Sequence, residues 1–289
     1  VKHDGERVVW KRALANTQLA IVAFATSHRE ELLVVDHVSG IYRLTTPPTE
    51  PSHPTFPKRL SDTGLFEDTA RLLPHPGVVA YSVTAPAWND GAVAERLIGL
   101  PDDKQISNTA GAWEFPEGTV LAQTLSLESS PVPASPRDPS PKRRRLETRL
   151  LTRQQGNWAA YSYVWIVALH VARLAPAAGT EIPLPESVVM ADGTPYPHPV
   201  WKVPSRTDCL ACHSRAANFV LGVERRQLDL AQPISESNQN QLEIFDQWNL
   251  FSGGVPEWVD EADAESPPTV LVNPYDASAP VADRVPSYI

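Results

Sequence analysis

Thr119-Val120-Leu121-Ala122-Gln123-Thr124-Leu125-Ser126-Leu127 decides the fold class. On an extended chain Leu121, Leu125 and Leu127 fall on one side and Ala122, Thr124 and Ser126 on the other, the period of two that marks a half-buried β-strand. The same period runs through Ala159 to Val167, where Tyr161, Tyr163 and Trp165 share a face as core or cross-strand partners. Glu147 to Thr152 and Ala159 to Val167 then make a hairpin joined through Gln154-Gln155-Gly156-Asn157. Upstream, Val78 to Val83 reads as a strand, with turns at Trp88-Asn89-Asp90-Gly91 and Pro116-Glu117-Gly118. Residues 58–175 are therefore expected to be a β-rich domain, sandwich or jelly-roll-like, with a proline-rich loop near 131–141.

The flanks read differently. Val8 to Trp10, Leu19 to Phe24, Glu31 to Val35 and Gly40 to Leu44 are short apolar runs, so residues 1–48 are expected to be strands of a meander or a remnant of a propeller blade. Residues 49–57 lie in a proline-dense linker containing Pro51, Pro54 and Pro57. Lys142-Arg143-Arg144-Arg145 is a local basic run, read as a solvated loop flank or a docking patch. Residues 176–260 turn repeatedly and then change period. Ser214 to Leu230 is expected to be helical, and Ser237 can cap a second helix carrying Leu242, Phe245 and Trp248. Residues 261–289 read as an extended tail.

The chain holds 29 prolines in 289 residues, so long loops, short strands and few helices are expected. A net charge of −9 argues against nucleic acid as a partner, because phosphate binding needs a basic surface. No apolar run is long enough to cross a membrane as a helix.

The two cysteines stand in one stretch, Cys209-Leu210-Ala211-Cys212-His213. Two thiols three positions apart, followed at once by an imidazole, have the spacing for covalent haem attachment with the histidine as axial ligand. The expected cofactor is therefore one haem c, held by Cys209, Cys212 and His213. Trp201 and Phe219 stand near enough in sequence to cover the macrocycle. His198 and Met190 are the two candidates for the opposite axial position. Other chemistries compete for the same cysteines. A thioredoxin-like dithiol would require an α/β unit that this pattern lacks. A zinc site could use Cys209, Cys212 and His198 but needs a fourth ligand, and a plain disulfide would make the chain a β-rich structural or interaction subunit. Glu114 and Glu117 form a carboxylate pair near Trp113, read first as surface charge.

The text around the cysteines, Trp201-Lys202-Val203-Pro204-Ser205-Arg206-Thr207-Asp208 before them and Phe219-Val220-Leu221-Gly222-Val223 after, resembles a family of bacterial exported dihaem c-type cytochromes. Leu60 to Phe66, Tyr81 to Gly91, Phe115 to Val120 and Tyr161 to Trp165 fit the same likeness in order, over roughly residues 56–260. In longer relatives the module follows a propeller similar to quinoprotein sugar dehydrogenases, whose closing strand Gly40-Ile41-Tyr42-Arg43-Leu44 resembles, and a second Cys-x-x-Cys-His comes downstream. This chain departs from them in having one such motif and only a remnant of propeller. The resemblance implies electron transfer, redox protein partners in a larger complex, and a periplasmic or extracellular location, with the chain a piece of a longer exported precursor. Ile166 to Val171 is apolar where the family tends to be polar, and is expected to face a partner.

Overall fold

A computed structural model describes residues 2–10, 17, 19–37, 40–45, 56–109, 112–128, 143–190, 192–230, 239–255 and 271–288. Its centre is a six-stranded antiparallel sheet: β1 (Val78–Tyr81), β2 (Val93–Gly99), β3 (Val120–Glu128), β4 (Arg143–Gln154), β5 (Asn157–Ile166) and β6 (Val171–Leu174). The strands lie side by side in chain order, so each pairs with its sequence neighbour. Gln155 and Gly156 turn β4 into β5 with φ of 54° and 72°, the positive-φ pair that a two-residue hairpin loop demands. The protein is mainly β, as expected. Among the described residues, short hairpins and helices rather than a second sheet of comparable size face the large sheet.

The strand expected to be half-buried is covered on both sides. Leu125 and Leu127 are fully buried, but so are Ala122, Thr124 and Ser126 on the opposite face. Residues 56–74 cover that second face, where Leu60, Leu65 and Phe66 pack on Ala122, Leu150, Tyr163 and Trp165. Thr124 and Thr148 are tolerated there because their hydroxyls bond each other at 2.8 Å, and the Trp165 indole donates to Thr148 at 2.9 Å. Each large apolar side chain so enclosed contributes about 1.5–3 kcal/mol relative to exposure.

The first face carries two separate apolar clusters. Toward one end, Ile98, Leu121, Leu151, Trp158 and Ala160 pack with Phe115, Leu228, Leu242 and Phe245. Toward the other, Leu125, Leu127 and Leu146 pack with Val188, Trp201 and Val203. The strand register places Arg96, Gln123 and Arg149 opposite one another across β2, β3 and β4, between these clusters. Glu95 and Arg96 thus stand within strand β2.

Among the described residues four short α-helices follow: α1 (Arg206–Cys212), α2 (Arg225–Leu228), α3 (Gln241–Gln247) and α4 (Val281–Tyr288). The long helix expected over Ser214 to Leu230 is broken, because Asn218, Phe219 and Gly222 take positive φ and fold the chain back on itself. The helix expected near 237–249 is α3, capped by the Asn240 side chain; Ser237 lies outside the described residues. Two glutamines tie these helices to the segment after β1. Gln241, fully buried, bonds Ser82 through both its amide atoms, and Gln227 does the same to Ala85. Within the tail read as extended, α4 is helical.

Ile21–Thr26, Leu32–Asp36 and Gly40–Arg43 form a separate three-stranded antiparallel meander. Of the linker, Phe56 and Pro57 belong to the sheet domain: Phe56 stacks on Tyr161 and the Tyr163 hydroxyl donates to the Pro57 carbonyl. The loop near 131–141 and Lys142 lie outside the described residues. Arg143, Arg144 and Arg145 are strand rather than loop flank, and Arg145 lies over the Trp165 ring at 5.0 Å. No helix among the described residues is long and apolar enough to span a membrane.

Candidate cofactor site

The Cys-x-x-Cys-His stretch begins in a helix, where the sequence reading placed the helix after it. Ser205 caps α1: its hydroxyl accepts the Asp208 N–H at 3.1 Å, and the Asp208 carboxylate accepts the Ser205 N–H at 3.0 Å. This reciprocal box satisfies donors that a helix start leaves open, and it was legible as Ser-x-x-Asp. A turn at Gly179 lets the chain reach Ser205; a Cβ there would stand 2.6 Å from the Val203 carbonyl oxygen. Helix α1 packs on β5, and the Arg206 guanidinium lies 4.4 Å from the Tyr161 ring centre. Three positions apart on one helix, Cys209 and Cys212 project from the same side. Both are free thiols.

His213 ends the helix, its backbone N–H bonded to the Cys209 carbonyl at 3.0 Å. Its Nδ1 lies 2.7 Å from the Phe219 carbonyl oxygen. A carbonyl only accepts, so Nδ1 carries the proton and donates it, and Nε2 is left with a bare lone pair. The break at Asn218 and Phe219 is what brings this carbonyl beneath the ring. Burial pushes the His213 pKa below its usual value, Phe219 pulls it the other way, and the Arg149 charge adds to the lowering. The ring is thus neutral at neutral pH. Burial also raises the Cys209 thiol, with Arg149 opposing.

Both thiols and His213 line one cleft of about 500 Å³ on the sheet face between the two apolar clusters. Leu121, Leu151, Ala160, Leu221 and Tyr81 supply its apolar wall, Arg96, Arg149 and Lys202 its cations, and Asp208 a carboxylate. Burial raises the Tyr81 hydroxyl to about 12, against the nearby Arg96 charge, which lowers it. Arg149 is held from below. Its Nε and Nη2 donate to Glu147 Oε1 at 2.8 and 2.5 Å, and the Trp201 indole donates to the same oxygen at 3.2 Å. Glu147 is fully buried and its Oε2 has no partner among the described residues.

Of the residues singled out in the sequence, Cys209, Cys212 and His213 are brought together in the cleft; Phe219 does not line it, its carbonyl meeting His213 while its side chain packs against the cluster of Ile98 and Leu121. Trp201 does not line it: this side chain is buried in the cluster of Leu125 and Leu127 and reaches the cleft only by way of Glu147 and Arg149. His198 and Met190 do not line it either. The His198 ring meets Tyr196 edge-on, and Met190 packs beside Trp201's cluster, because the hairpin Thr180–Pro183 with Val200–Val203 turns that whole segment toward the other end of the sheet. The carboxylate of Glu117 is occupied by the N–H groups of Gln155 and Gly156, which fastens a turn. Sequence reasoning passed over Arg149, Arg96 and Lys202, because only strand register shows that Arg96 and Arg149 share a face. No family model, no curated protein and no solved structure matches the chain.

Proposed function

We propose that the chain is a c-type cytochrome module, passing single electrons within a larger exported redox assembly on the periplasmic or extracellular side of a bacterial membrane. It would carry one haem c, with Cys209 and Cys212 holding it by thioether bonds and His213 as axial ligand. The observation that carries the reading is the fixed imidazole: Nδ1 spent on a backbone carbonyl and Nε2 free, beside two unpaired thiols in one cleft. A metal-ligating histidine is commonly oriented by such a bond from its other nitrogen.

The residues present suit the group. The cleft volume, about 500 Å³, falls within the ~300–1,000 Å³ of cofactor and ligand pockets. Among the described residues its wall is apolar with three cations, and its one carboxylate, Asp208, is engaged by Ser205, which suits a flat apolar body bearing acidic groups. When bound, a haem supplies a one-electron couple. The chain's own residues supply the rest: α1 presents the sulfurs, Phe219 orients the imidazole, and the buried Leu121 and Leu151 give the cleft an apolar floor. Among the described residues lining the cleft, His213 is the imidazole that would ligate the iron, and neither His198 nor Met190 lines it. The likeness to exported dihaem cytochromes points the same way. Val167 and Leu169, exposed at the turn between β5 and β6, belong to the apolar stretch proposed to face a redox partner.

The rival reading, a β-rich interaction subunit whose cysteines bind zinc or form a bridge, has less support. Both thiols are free, and among the described residues no group of three or more His, Cys, Asp or Glu side chains is placed to hold a metal. The test is haem staining of the native protein after denaturing electrophoresis. A band that disappears in the Cys209→Ser/Cys212→Ser variant is expected. A blank native lane, with zinc and no iron by elemental analysis, would overturn the proposal in favour of the rival.

A further inference from the structure

A protein of net charge −9 keeps two guanidinium groups on one sheet face beside its cysteine pair. Arg96 pairs with Gln123 across β2 and β3, and Gln123 with Arg149 across β3 and β4. Residues directly opposite in an antiparallel sheet share a face. With neighbouring strands ~4.8 Å apart, the two arginine Cα atoms stand about 10 Å apart, an amide between them. Arg96 is half-buried and makes one long bond, Nη1 to the Ala94 carbonyl at 3.4 Å. Among the described residues it has no carboxylate within ion-pair distance, and Arg149 has only Glu147, which takes its Nε and Nη2. A partly desolvated guanidinium without an acidic partner is costly unless an anion meets it.

We infer that Arg96 and Arg149, with Gln123 between them, receive the two carboxylates of the tetrapyrrole. The inference rests on the haem reading and extends it, by assigning the edge of the cofactor that no cysteine or histidine touches. Trp201 and Glu147 are positioning residues in this arrangement. The indole holds the carboxylate, the carboxylate holds two nitrogens of Arg149, and Nη1 stays free to donate toward the cleft. Lys202, exposed at the rim, adds positive potential.

The test uses the haem-free chain, titrated by Soret absorbance with iron(III) protoporphyrin and with its dimethyl ester, which keeps the ring and removes both charges. The native chain should bind the ester at least about ten-fold more weakly, the scale of a charge-assisted hydrogen bond lost. Arg96→Gln should weaken the free acid about ten-fold and leave the ester within about two-fold. Equal affinity of the native chain for acid and ester would overturn the assignment of the arginines, while a haem-stained native band would leave the cytochrome reading standing. If neither porphyrin binds and the native lane is blank, both readings fall together. The ester arm needs no substitution, so loss of folding in a variant does not shield the inference.

Discussion

Replacing Arg149 by methionine tests whether the ion pair beneath the cleft is built as the structure has it. Glu147 is fully buried, and its Oε1 takes two donors from Arg149 and one from Trp201. Arg149→Met leaves that carboxylate with the indole alone. Removing one partner of a buried pair costs about 3–5 kcal/mol. Because the Arg149 side chain is 33% exposed, water already screens part of the interaction, so the low end, about 3 kcal/mol, is expected. That corresponds to a shift on the order of 100-fold in the folding equilibrium. Urea unfolding of the haem-free chain, followed by tryptophan fluorescence, measures it. Adding Glu147→Leu to Arg149→Met should recover part of the loss, since a buried pair replaced as a whole by apolar side chains is close to neutral. The recovery is incomplete because the Trp201 N–H then lacks its acceptor, at about 1–3 kcal/mol. A single variant costing under about 1 kcal/mol, or a double variant less stable than the single, would refute the reasoning.

Two further outcomes follow from the same packing. Tyr81 is pushed up to about 12 and Tyr163 is also raised, both chiefly by burial, so above the unfolded tyrosine value near 10 the unfolded chain loses phenolic protons that the native chain keeps. Stability should be unaffected by these groups below that pH and fall as it rises through the window. Tyr81→Phe should flatten the fall in alkaline urea titrations, and an unchanged slope would count against its burial. Gly179 holds φ of +78° with the Val203 carbonyl oxygen and Ser205 nitrogen 2.6 and 2.9 Å from where a Cβ would stand. Gly179→Ala should therefore cost about 1–3 kcal/mol, read by thermal unfolding, and a variant as stable as the native chain would show that the turn tolerates a side chain.

Local pattern carried much of the architecture. Alternation along Tyr161, Tyr163 and Trp165 named a buried face, and Tyr163 and Trp165 are indeed buried there. Gln155-Gly156 named the hairpin, because positive φ is a property of residues and not of their surroundings. The five-residue run from Cys209 to His213 needed no fold to be noticed, since spacing alone sets which atoms can meet one group. Elsewhere the pattern misled. Leu121, Leu125 and Leu127 alternate with small residues, which read as a solvent face but is a second core face, packed by residues about 60 positions upstream. Asn218 and Phe219 interrupt a helical periodicity for a tertiary purpose, the carbonyl under His213.

By itself, then, the order of residues determined a β-rich chain and the grouping of two thiols and an imidazole in one pentapeptide, because period and spacing act over a few bonds. Only the tertiary structure decided that Trp201, His198 and Met190 turn away from that pentapeptide and that Arg96 and Arg149 turn toward it. The register of three strands makes that choice, and register is fixed by which apolar faces find cover across the whole sheet.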